Sequence, residues 1–187
     1  MSLPSDDELP LGLEKLGGDD PPGLVVVIDT SAVIETKRVI PTDQQWDFYD
    51  QMLTLVEAGR LTFPRQVARE VAHGKHPDTP GSWCAKAAKL VQHGGPSEET
   101  LVEILPSIAQ LVDETAEYEN EPADPYVVAM AYELRTVGYD VVVATEDRID
   151  RLPLKIALTT ACEALEITTW DCAALVAWVQ DIDTSEG

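Results

Sequence analysis

The chain has 187 residues, with 34 acids against 13 Lys and Arg, a formal net charge of −21 and a pI near 4.2. That length buries a full core in one medium-sized domain, and 44% hydrophobic with 25% charged residues is the composition of a folded protein. The acidity excludes a broad basic face gripping nucleic acid, but not an enzyme that meets phosphates through metal ions; it also suits a high-salt cytoplasm.

Residues 1–23 hold six acids, one Lys and clusters of Pro and Gly, which reads as a disordered acidic leader. Its acidic start and lack of a long apolar run are not those of a signal peptide. The folded domain is expected over 24–187. Leu24–Ile28 is a wholly apolar run of five, and no apolar run in the sequence is long enough to cross a membrane, so no membrane partner is expected. This β-branched run suits a strand buried on both faces of a parallel sheet, and it ends at Asp29.

Residues 42–58 carry Trp46, Tyr49, Leu53 and Val56 at helical spacing, and Gly59 stops that helix. Residues 61–63 form a second candidate strand. Pro64 opens a helix with Val67 and Val71 on its inner face and Gly74 at its end. After a loop over 74–81, helices are expected over 82–92 and 97–118, the latter interrupted near Pro106. Asp124-Pro125 starts another helix, with the Asp as N-cap, that stops at Gly138. Residues 140–145 contain a VVV strand core. A helix over 154–165, a strand over 166–170 and a last helix capped by Asp171 complete the chain. Strands alternating with helices predict an α/β fold, a three-layer α/β/α sandwich around a mainly parallel sheet.

Cys84, Cys162 and Cys172 are an odd set without a C-x-x-C pair, which predicts reduced thiols and a cytoplasmic protein.

Sites in open parallel sheets form beyond the carboxyl ends of the strands. Asp29 closes LVVVI and Asp147 follows VVVAT by two residues, with Glu146 beside it as the competing assignment. Asp124 stands at a helix start, and Glu70 lies near the buried edge of its helix. Carboxylates converging there would repel one another and lose hydration, and at least one pKa would rise. A hard divalent cation, Mg²⁺ or Mn²⁺, relieves that by taking oxygen ligands while keeping waters. Each acid singly also reads as a cap, a turn or a solvated residue; their order along the chain is more informative than any one.

IDTSAVIE at 28–35, VARE at 67–70, ADPYVVAMA at 123–131 and VVVATEDRI at 141–149 resemble the PIN domain nucleases. The likeness covers about residues 24–180 and is to a PIN-like branch with a helical insertion, here about 74–120. It implies that Asp29, Glu70, Asp124 and Asp147 are the acidic quartet holding Mg²⁺ or Mn²⁺. Ser31 then matches the polar residue that orients the first Asp, and Thr145 the polar residue at the end of the later strand. It implies a metal-dependent nuclease acting on RNA, an endoribonuclease. The resemblance to toxins of toxin–antitoxin pairs adds an antitoxin protein as candidate partner and a homodimer as candidate assembly. A catalytically inert PIN-like interaction module is the alternative. A phosphatase using Asp29 as nucleophile fits less well, because a D-x-D pair would need an acid where Ser31 stands.

Two basic groups are candidates for phosphate contact, Arg65 and Arg69 (with Arg60 and Lys75), and Arg148 and Arg151 (with Lys155); ordinary salt bridging on an acidic surface is the rival reading. His73, His76, Cys84 and His93 have no common zinc spacing, so a polar loop with a free thiol is preferred. Trp46, Trp83, Trp170 and Trp178 are too dispersed for a base-stacking platform and read as core or interface.

Overall fold

The computed structural model of the protein describes residues 23–72, 78–93 and 95–185. Residues 1–22 of the leader, His73, Gly74, Lys75 and His76 therefore lie outside the described residues. In chain order the strands are β1 (Leu24–Ile28), β2 (Leu61–Thr62), β3 (Asp140–Ala144) and β4 (Thr168–Trp170). They form one all-parallel sheet in the order β2-β1-β3-β4. The two β-branched runs lie side by side in its centre, from Leu24 opposite Asp140 to Ile28 opposite Ala144. Val25 to Ile28 and Val141 to Ala144 are all buried, as strands covered on both faces must be.

The helices are α1 (Thr30–Val39), α2 (Gln45–Glu57), α3 (Arg65–Ala72), α4 (Thr79–Ala87), α5 (Glu98–Ile108), α6 (Asp124–Thr136), α7 (Leu158–Ala164) and α8 (Cys172–Ser185). Packing sorts them into two groups, α1, α2, α3, α4 and α8 in one, and α5, α6 and α7 in the other. With the sheet between them the fold is the expected α/β/α sandwich. The expected insertion at 74–120 is no appendage. Its α4 packs on α3, α1 and α2, and its α5 packs on α6. Trp83 of α4 lies against Phe63 and Tyr49, which ties the segment into the core. Among the described residues no helix is long and apolar enough to cross a membrane.

Gly59 and Gly138 end α2 and α6 in left-handed conformation, at φ 70° and 106°, where a side chain would be strained. Several boundaries differ from the sequence reading. α4 begins at Thr79 because Asp78 accepts the Gly81 N–H and Pro80 sits in the first turn. α5 passes through Pro106 and stops at Ile108, followed by a 3-10 turn over Ala109–Leu111. The acid-rich residues beyond it add no helix, since repeated like charges oppose one. α7 begins only at Leu158, because Arg151 and Lys155 bond each other's backbones in an antiparallel bridge. Trp46 is 75% exposed and so is not a core residue, whereas Trp83 is buried and Trp170 packs at a tilt against Trp178.

Candidate functional site

The chain leaves β1 for β2 on one side and leaves β3 for β4 on the other. The loops after β1 and β3 therefore diverge, and a crevice opens between their carboxyl ends. Asp29 and Thr145 are the first residues beyond the paired strands, and the parallel register sets them together. The Asp29 N–H bonds Ala144 O at 2.9 Å, and the Thr145 hydroxyl donates to Asp29 Oδ2 at 3.0 Å. Ser31 adds its hydroxyl at 2.6 Å and its N–H at 3.3 Å to the same oxygen, so Asp29 is also the N-cap of α1. Three donors thus hold Oδ2. The other oxygen, Oδ1, is buried and has no hydrogen-bond partner. Asp29 as a whole is 2% exposed. Burial, then the negative charge of Asp124, raise its pKa to about 7 despite the bonds from Ser31 and Thr145.

Asp124 opens α6, but it is not the expected N-cap. Ala123 has that position, and Asp124 is the first helical residue, followed by Pro125. The Ala123 N–H goes instead to Glu70 Oε1 at 2.9 Å. Glu70 Oε2 takes the Thr30 hydroxyl at 2.5 Å. One side chain from α3 thereby pins the starts of both α1 and α6. Burial raises the Asp124 pKa, and Asp147 and Glu70 add to the rise, while the bond and charge of Lys155 oppose it. The raised pKa values expected from crowding are therefore present at Asp29 and Asp124, but burial is the larger cause at both.

Of the neighbouring pair after β3, Asp147 turns toward this cluster and Glu146 does not. Asp147 Oδ2 accepts the Leu158 N–H at 3.2 Å and faces Lys155 at 3.1 Å. Glu146 Oε1 accepts the Cys172 N–H at 2.6 Å, at the start of α8. Cys162 on α7 feels the charges of Asp29 and Asp124, which add to burial in pushing its thiol up to about 12. Among the described residues no three His, Cys, Asp or Glu side chains are close enough to form a ready-made metal cage. The acids are neighbours joined through Lys155, Thr30 and backbone rather than a closed ring of carboxylates.

The residue that sequence reasoning missed is Lys155. The sequence sets it beside Arg148 and Arg151 as a candidate phosphate contact, with surface salt bridging as the rival, yet it is 8% exposed and pairs inward, its ammonium 2.8 Å from Asp124 and 3.1 Å from Asp147. Burial pulls its pKa down, but the two carboxylates outweigh that and leave it above the ordinary lysine value. The available signal was a Lys next to the apolar run Ile156-Ala157-Leu158 in a chain so short of bases.

The four candidate RNA-binding arginines come from two segments, α3 and the loop after β3. Arg65 and Arg69 lie half-buried on α3. Arg148 is exposed and faces Asp171 at 3.9 Å. Arg151 is exposed and bonds Lys155 through its backbone. The cysteines are free and buried. Cys84 is fully buried in α4 and His93 is buried after it, and the other two members of the zinc set are outside the described residues.

The pattern of one known protein family matches residues 26–179, which includes all four acids and Lys155. The chain belongs to this family, described as a domain of unknown function (DUF4411). The curated proteins contain no match to it. Membership in DUF4411 spans both the sheet and the 74–120 segment, in agreement with their shared core.

Proposed function

We propose that this DUF4411 protein is a metal-dependent phosphodiester hydrolase of PIN type, an endoribonuclease. The observation that carries the reading is Asp29, a carboxylate buried at the switch point of the sheet with one oxygen fully bonded and the other unpartnered. A buried oxygen left empty is costly unless something positive meets it. The other acids of the cluster, Asp124, Asp147 and Glu70, offer carboxylate oxygens, the ligand type that suits Mg²⁺ or Mn²⁺. Asp29 and Asp124 would be the principal ligands, with Asp147 and Glu70 completing the set. Bound there, such a cation supplies a nucleophilic water and charge for the phosphate.

The chain's own residues have distinct tasks in this reading. Ser31 and Thr145 fix Oδ2 and so aim Oδ1. Glu70 joins α1 to α6 and keeps Asp29 and Asp124 in register. Arg65, Arg69, Arg148 and Arg151 are the proposed contacts to RNA phosphates. A chain this acidic would bind RNA weakly and with strong salt dependence. A toxin role with an antitoxin partner, a homodimer and a cytoplasmic location extend the same proposal; three buried free thiols support the last.

The test is cleavage of several single-stranded RNAs in Mg²⁺ or Mn²⁺, with chelator and Asp29→Asn as controls. Cleavage that needs both the cation and Asp29 supports the reading. A second reading, an inert interaction module, is favoured by one set of observations. Asp29, Glu70 and Glu146 each accept backbone N–H groups at helix starts, and Lys155 already neutralises two of the acids. That reading expects neither cleavage nor a melting shift on adding Mn²⁺.

A further inference from the structure

Lys155 is held where a small cation would be useful. Its ammonium lies within 3.1 Å of carboxylate oxygens from two separate elements, Asp124 at the start of α6 and Asp147 after β3. Its side chain is 10% exposed, against 19% and 22% for the two acids. The backbone around it is pinned on both sides. Its N–H bonds Arg151 O at 3.1 Å, its carbonyl accepts the Arg151 N–H at 2.8 Å, and the Ile156 N–H bonds Gln110 O at 2.9 Å. An ammonium is a compact point charge with three donors, so it balances carboxylates much as a hard cation does. It cannot polarise water as a metal does. It also satisfies only part of the cluster, since Asp29 Oδ1 has no partner.

We propose that Lys155 is a built-in counter-ion for the acids that would hold a divalent cation. The cation then loads by displacing the ammonium from Asp124 and Asp147, not by entering a vacant ring. This rests on reading those acids as metal ligands. It explains two facts together. The four carboxylates fold as neighbours without a ready-made cage, and one lysine is buried in a protein with few bases to spare. The lysine is a positioning residue. It keeps the metal-free site assembled and raises the cation concentration at which the site fills.

The variant is Lys155→Gln, one atom shorter, which keeps a hydrogen-bonding N–H terminus but loses the charge. Mn²⁺ affinity is read from the free-ion signal in electron paramagnetic resonance, and metal-free stability from a melting curve in chelator. The expected result is a lower metal-free melting temperature with at least about tenfold tighter Mn²⁺ binding than the parent. Lys155→Arg keeps a cation and should bind Mn²⁺ no more tightly than the parent. Equal or weaker binding by Lys155→Gln, with the parent binding Mn²⁺, overturns the counter-ion role while leaving the metal-ligand reading intact. Failure of both parent and variant to bind Mn²⁺ removes the metal-ligand reading and the counter-ion role with it. If Lys155→Gln does not fold, the parent decides. On Mg²⁺ addition, its Lys155 ammonium resonance in ¹⁵N-lysine-labelled protein should lose its protection from exchange; unchanged protection at saturating Mg²⁺ overturns the proposal.

Discussion

The starts of α1 and α8 are built from the same local device and come out differently. Each helix follows a strand of the sheet, and each is preceded by an aspartate whose side chain accepts a backbone N–H. Asp171 accepts the Ala174 N–H at 2.7 Å, leaves its side chain 47% exposed and faces Arg148. That is all a cap needs. Asp29 meets the Ser31 N–H at 3.3 Å, but it is buried, takes two hydroxyl bonds on the same oxygen and leaves the other empty. A Ser or Asn would cap α1 without burying a charge. Capping therefore explains Asp171 and does not explain Asp29, whose environment asks for a positive partner.

The largest effect should separate the two caps. Asp29→Asn keeps an oxygen for Ser31 and Thr145 but replaces the empty oxygen with an amide, a poor ligand for a hard cation. RNA cleavage should fall at least about 100-fold, and the Mn²⁺-induced rise in melting temperature should vanish. Asp171→Asn should change neither. Equal losses in both variants would make the comparison meaningless.

A second contrast lies in pH. In chelator, native Asp29 keeps its proton up to about pH 7, whereas the unfolded side chain releases it near 4. Between those values the native state binds more protons, so stability should fall as pH rises and level off above about 7. The slope from this one group approaches about 1 kcal/mol per pH unit. Denaturant melts at pH 5, 6, 7 and 8 should show that component in the parent and lose it in Asp29→Asn. Saturating Mg²⁺ should flatten it too, because a cation favours the ionised form.

Smaller effects sharpen the same comparison. Ser31→Ala removes the 2.6 Å bond to Asp29 and with it a contribution that lowers the Asp29 pKa. Its pH slope should extend above 7, and Mn²⁺ binding should weaken about tenfold. Asp171→Ala should cost about 1 kcal/mol as a lost cap, equally with and without Mn²⁺. Paired denaturant titrations give both numbers.

The contrast also marks how far the sequence could be read. The sheet centre was legible because VVVI and VVV are wholly apolar, and the ends of α2 and α6 because Gly59 and Gly138 follow them. Asp29 and Asp147 were legible as residues just past such strands. The preference for Asp147 over Glu146 at the cluster was not, because it depends on Glu146 reaching the start of α8, a contact 26 residues away. The roles of Glu70 and Lys155 were hidden for the same reason. Glu70 bonds partners 40 and 53 positions distant, and Lys155 is paired with an acid 31 positions before it. Local pattern finds residues at strand and helix ends; it cannot tell which of them the topology will bring together.

In the proposed reading Asp29 and the partly buried acids around it at the β1–β3 switch point hold a divalent cation. Isothermal titration of Mn²⁺ into chelator-stripped protein at pH 8 tests it most directly, with circular dichroism confirming that parent and variant are folded. The parent should bind saturably, Asp29→Asn should lose that binding, and Asp171→Asn should retain it. No saturable binding by the folded parent at millimolar Mn²⁺, or equal binding by Asp29→Asn, would contradict it.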